Sequence, residues 1–432
     1  MVVDIYELLC ATERMGRDDR YHGSRRQVLR AVTAGSVAGL TGLAGCVGDP
    51  EEAANGDESL DTIELAVLEP FTGPFSDLGE ERMQGTELAI EQINDSDEYE
   101  FEIEYETYDT QSDPEDALSE AREAVQSQGA QFLTGCISSD VALSMNDFAL
   151  DNEVLYTPGA ADVAITGERC NEYVFRFETS TAQIAEAMAQ WTHEEQGDRI
   201  FYHLADYAYG ESVRNEFESR MEELSDDYEA VGETRAEFGA TDFEAYITQI
   251  ESAADEADAV VIGSTGGDLV AFLSQAADRG LPEEIPIVTT TASFTPVRAG
   301  AGDAATGVFS GVRYYPEIEM GDNQEFVEAY DAEYDELPDN FSRVGYDSIR
   351  MMMRGVQAAG SNDPTEVADV LGGLEQDTIY GPNEFRECDG QAVNPVWMGE
   401  LTEGDDLPDV EILTEIDGEE AIPPCEDTGC DR

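Results

Sequence analysis

From Thr62 onward, short apolar strand-like segments alternate with stretches in which apolar residues recur at helical spacing. "TIELAVLEP" reads as a buried strand, "EERMQGTELAIEQIN" as an amphipathic helix, and "FEIEYETYDT", "PEDALSEAREAVQS" and "AQFLTGC" repeat the order. Leu88, Ala89 and Ile93 share one helix face, and Asn94 supplies an end. Ser112-Asp113-Pro114-Glu115 sets a capping residue before a proline in the first turn, a helix start. The pattern restarts at "RIFYHLADYA" and runs through "ESVRNEFESRMEEL", "YEAVGETRAEF", "FEAYITQIESAADEA", "DAVVIGST", "LVAFLSQAADRG" and "PIVTTT". Strands alternating with helices predict an α/β fold with parallel sheets covered on both faces, and the length fits two such units.

Ahead of these units the pattern changes. "SRRQVLRAVTAGSVAGLTGLAGC" joins paired arginines to a weakly apolar run interrupted by Arg30, too short and too polar for a membrane span. It fits an export signal: Ser24-Arg25-Arg26 resembles a twin-arginine motif, and Leu43-Ala44-Gly45-Cys46 resembles a lipobox whose cysteine is lipidated. Residues 1–45 are therefore expected to be an export signal, with translation starting at Met1 or Met15, and residues 46–61 a flexible tether. The protein is expected at the cell surface, held to the outer face of the cytoplasmic membrane by lipid on Cys46.

Charge narrows the origin and the chemistry. The chain holds 97 acidic and 22 basic residues, a net charge of -75, and every basic residue is arginine. Such a chain repels itself unless concentrated salt screens it, which points to an extremely halophilic, archaeal source. Disorder is disfavoured by 41% hydrophobic residues in regular patterns. Nucleic acid is an implausible partner for so acidic a surface. Without lysine, P-loop phosphate binding and Schiff-base chemistry are excluded. His193 and His203 match no common zinc spacing and read as structural; neither a metal nor a cofactor is expected. An enzyme would have to use Ser138 or Ser264, and neither sits in a GxSxG elbow.

Ligands of open α/β sheets bind beyond the strand ends. The loops there hold "EPFTGPFSDLGEE", "GCISSDV", "YTPGAADVA", "ADYAYGESV", "GSTGGDL" and "TTTASFTP", rich in small residues, hydroxyls and aromatics. With "YDTQSDPEDALSEAREAV", "YVFRF", "GDAATGVFSG", "GYDSIRMM" and "YGPNEF" in order, the chain from about Thr62 to Leu401 resembles the leucine/isoleucine/valine-binding family of ABC transporter substrate-binding proteins. The resemblance implies two Rossmann-like lobes of the type I periplasmic binding fold, joined by three crossovers and closing on a small solute by a hinge motion. Lobe 1 is expected over 62–178 and 314–377, lobe 2 over 179–313 and 378–402, and an acidic C-terminal tail over 403–432.

The resemblance also implies a site. Ser138 and Ser139, opening a helix, stand where hydroxyl and amide groups hold the ligand carboxylate. Gly159, Ala160 and Ala161 stand where backbone groups and a threonine hydroxyl serve, Tyr209 matches a tyrosine of the second lobe, and Thr265 replaces another. Phe75 and Leu78 wall the apolar end. Thr290 falls where an acid holds the ligand ammonium, so either Asp206 or Asp268 substitutes, or the solute lacks an ammonium, as an amide, urea or organic acid does. The expected function is delivery of a small polar solute, foremost a branched-chain or related amino acid, to the permease subunits of an ABC importer; a sensory ligand-binding subunit is the alternative. In this fold Cys136 and Cys170 lie in loops brought together beside the cleft and are expected to form a disulfide. Among Cys388, Cys425 and Cys430 one bond is possible, either Cys425 with Cys430 or Cys388 with a tail cysteine.

Overall fold

The computed structural model describes Leu60 and residues 62–432. The expected export signal over 1–45, Cys46 and, apart from Leu60, the expected tether over 46–61 lie outside the described residues.

Lobe 1 is built on β1 (Thr62–Glu69), β2 (Glu102–Asp109), β3 (Phe132–Gly135) and β4 (Leu155–Pro158), all parallel in the order β2-β1-β3-β4. Because side chains alternate along a strand, β1 feeds two cores. Ile63, Leu65 and Val67 pack on α1 (Ser76–Asn94). Ala66 and Leu68 pack on α2 (Pro114–Glu123) and α3 (Ser139–Asn152). Asp113 caps α2 as its sequence predicts, accepting the amides of Glu115 and Asp116.

The chain then enters lobe 2: α4 (Thr181–Glu195), β5 (Arg199–Ala205), α5 (Ala208–Leu224), β6 (Glu229–Ala236), α6 (Glu244–Ala253), β7 (Ala259–Gly263), α7 (Gly266–Arg279), β8 (Ile287–Thr289), α8 (Thr295–Ala301) and β9 (Phe309–Val312). These strands are parallel. Phe201, Val260 and Ile262 face α6 and α7, whereas Ile200, Tyr202 and Val261 face α4 and α5. His203 belongs to this core, bonded to the Thr234 hydroxyl at 2.8 Å and stacked on Phe272; burial pushes its pKa down to about 4. His193 pairs with Asp198 at 2.6 Å near the surface.

A second crossover returns to lobe 1 for α9 (Asn323–Tyr334), α10 (Asn340–Ala359), α11 (Pro364–Leu371) and the hairpin β10 (Gln376–Thr378) and β11 (Gly381–Asn383). α10 lies against α1 at close range. A Cβ on Gly345 would fall 2.2 Å from the Arg82 carbonyl, and one on Gly85 1.8 Å from the Ser342 carbonyl. A third crossover delivers β12 (Val396–Thr402), antiparallel to β9, and β13 (Asp409–Ile416), antiparallel to β12. The second sheet thus has seven strands, β13-β12-β9-β8-β7-β5-β6. No described helix is long and apolar enough to cross a membrane.

Two expected boundaries are corrected. Residues 378–385 stay with lobe 1, because Ile379 and Phe385 are buried in its core. The stretch expected as an acidic C-terminal tail over 403–432 adds a strand to lobe 2, because "DVEILTEI" has enough apolar positions to pack as an edge strand despite its acids. The chain end then returns to lobe 1, where Arg432 donates to the carbonyls of Val174 and Glu172 and its guanidinium lies over Phe175.

The expected Cys136–Cys170 bond is also corrected. Disulfides join Cys170 to Cys430 and Cys388 to Cys425. Cys136 is a free thiol inside the lobe 1 core, 2.9 Å from the Tyr156 hydroxyl. Its side chain faces the sheet and α3, while Cys170 faces the returning C-terminus.

Candidate solute site

Lobe 1 presses apolar side chains into lobe 2. Phe75 and Leu78, ahead of and within the first turn of α1, are buried with Ile137 and Phe341 in the lobe 2 cluster; Phe75 lies 4.9 Å from Phe238 between ring centres. They close the cleft as an interlobe seal. Within it a small cavity remains, lined from lobe 1 by Ile137, Gly159, Ala161 and Phe341 and from lobe 2 by Tyr207, Tyr209, Thr265, Thr291 and Phe294, with Arg313 at the second crossover. Its volume, about 20 Å³, is on the scale of one water, so a solute can enter only when the lobes part.

The sequence-named residues take distinct places around this cavity. Gly159, Ala161, Tyr209 and Thr265 are on its wall. Ser138 and Ser139 are buried one and two positions beyond Ile137 at the start of α3, and the Ser139 hydroxyl has no partner. Ala160 turns inward, its carbonyl accepting from Arg176 at 3.1 Å. Thr290 stands behind Tyr209 and accepts its hydroxyl at 2.6 Å. Neither proposed substitute acid lies on the wall. Asp206 is exposed, because β5 ends at Ala205 and the chain turns outward. Asp268, in the first turn of α7, accepts the Gly239 amide at 2.9 Å, and burial raises its pKa to about 6.

Sequence reasoning missed the charged centre of the cleft. Glu178 on the first crossover takes Arg313 on one carboxylate oxygen and Arg343 of α10 on the other, the latter at 3.2 Å. Asn340 also donates to Glu178. Arg313 reaches on to the Tyr209 hydroxyl at 3.1 Å, which completes a chain Glu178–Arg313–Tyr209–Thr290 across both lobes. All three charged side chains are buried, at 0 to 2% exposure. A charge this buried persists only when paired and hydrogen-bonded, so the network fixes the two crossovers relative to α10. The available signal was local: "RFETS" and "GVRYY" each put a charge directly after an apolar run.

Two α/β lobes, three crossovers and a cleft lined from both sides by strand-exit loops are the architecture of a two-lobed solute-binding protein. The comparisons agree. The chain belongs to the periplasmic binding protein family, whose model matches residues 62–406. It is 26% identical over 330 residues to the leucine-, isoleucine-, valine-, threonine- and alanine-binding protein of Pseudomonas aeruginosa, covering 76% of this chain and 86% of that one. It is 25% identical over 396 residues to Leu/Ile/Val-binding protein homolog 4 of Brucella abortus, covering 88% and 90%. The solved ABC transporter substrate-binding protein from Sphaerobacter thermophilus superposes with a TM-score of 0.75 at 27% identity, covering 84% of this chain and all of that one.

Proposed function

We propose that this protein is the exported solute receptor of an ABC importer, held to the membrane by lipid on Cys46, and that it takes a small solute with one carboxylate and an apolar body. The observation that carries this reading is the cavity shared by Gly159 and Ala161 of one lobe and Tyr209 and Thr265 of the other, with the unpartnered Ser139 hydroxyl two positions beyond the wall residue Ile137, at the start of α3. The amide groups of a helix start attract a carboxylate, and Phe294, Phe341 and Ile137 offer an apolar wall. The curated relatives, named for leucine, isoleucine and valine, favour a body of branched-chain size. Thermal-shift screening in molar salt against amino acids, amides, urea and organic acids tests the reading, because a ligand of the folded state raises the melting midpoint by mass action. The midpoint is expected to rise for carboxylates with apolar bodies. A rise for urea alone contradicts that choice of solute.

A further inference from the structure

An α-amino acid brings two charges into the cleft, and the wall is built to answer only one. Of the ten residues lining the cavity, Arg313 alone carries a full charge. Its carboxylate partner, Glu178, is shared with Arg343, so this one acid is divided between two guanidinium groups. The Nε of Arg313 is buried without a partner, and a guanidinium can only donate. The hydroxyls of Ser139, Ser264 and Thr265 are also buried without partners and can donate to an anion or accept.

Negatively charged acceptors, by contrast, are missing from the wall, and several of the neutral ones are engaged. The Ala160 carbonyl holds Arg176, the Ala161 carbonyl holds the Thr181 amide at 2.7 Å, and the Thr290 hydroxyl oxygen holds Tyr209. Asp268 is engaged with Gly239, and Asp206 lies in solvent. A bound zwitterion would satisfy Arg313 with its carboxylate and leave its ammonium with neutral oxygens alone, no carboxylate of the wall offsetting its charge. From this inventory we infer that the solute is an organic anion lacking an ammonium group, and that Arg313 is the residue that selects it. The inference rests on the receptor reading above and narrows it.

Calorimetry in molar salt with matched probes tests it. 4-Methylpentanoate, L-leucine and 4-methylpentanamide share one apolar body and differ in charge; benzoate, phenylglycine and benzamide form a second set. The acid of at least one set is expected to bind at least tenfold more tightly than its amino acid and its amide. Arg313→Gln is expected to lose at least tenfold in affinity for that acid and to level acid with amide, whereas Arg313→Lys keeps the preference. An amino acid or amide that binds as tightly as its acid overturns the inference and leaves the receptor reading standing. Silence across both sets overturns the receptor reading and the inference with it. If Arg313→Gln does not fold, the ranking on the unaltered protein decides.

Discussion

At the scale of single residues, the decisive side chains are charges that the sequence gives no reason to think buried. In a chain with 28% charged residues, Glu178, Arg313 and Arg343 look like three more solvated groups, and only the crossovers and α10 bring them together. Glu178→Gln should therefore destabilise the protein by about 3–5 kcal/mol, as removal of one partner from a buried ion cluster does. Urea unfolding in molar salt measures this. Thr290 was legible as a departure from the family pattern, but its reason was not. Tyr209, eighty-one positions away, uses its hydroxyl oxygen. His203 was legible as structural, since it closes an apolar strand. It is neutral in the fold down to about pH 4, against an ordinary value of 6.5, because burial disfavours the imidazolium. As pH falls from about 6.5 to about 4 the unfolded chain takes up a proton that the fold refuses, so His203 withdraws stability over that window and contributes no pH dependence above it. A ring titration by NMR should show one imidazole with this low midpoint.

At the scale of elements, the strands and helices of both lobes follow from hydrophobic period and capping. β1 alternates between two cores, and Asp113-Pro114 starts α2. What escaped was long-range. β13 is disguised by its acids, and its value as a strand depends on a partner, β12, that local pattern does not reveal. Gly345 looks like any helical glycine until α1 is set against it. Gly345→Ala should lower stability by about 1–3 kcal/mol, because the added methyl must push apart the two helices that carry Arg82 and Arg343; a lowered melting midpoint with unchanged helix content checks it. Cysteine pairing was misjudged because strand-exit proximity says nothing of which way a side chain faces. Among the described cysteines only Cys136 should be free, and it should resist alkylation until the protein unfolds, since burial raises its thiol pKa to about 12. Cys170→Ser should cost about 2–5 kcal/mol, the usual loss for a native disulfide.

At the scale of the whole molecule, charge and hinge set the working conditions. With a net charge of -75, lowering salt from molar to about 0.1 M extends the screening length from about 3 to about 10 Å and should destabilise the fold. Equal melting midpoints at both salts would contradict the halophilic assignment. In the native host, Cys46→Ser should release the protein from membranes, and unchanged retention would contradict the anchor. The lobes meet in an apolar seal over a cavity too small for any solute of the proposed class, so binding requires the crossovers to flex. The most direct measurement of the central claim is a crystal structure, grown in molar salt, with the solute that screening selects. The account predicts that solute between the lobes, touching Gly159 and Ala161 on one side and Tyr209 and Thr265 on the other, with its carboxylate reaching the start of α3 and Arg313. A solute bound outside this cleft would contradict it.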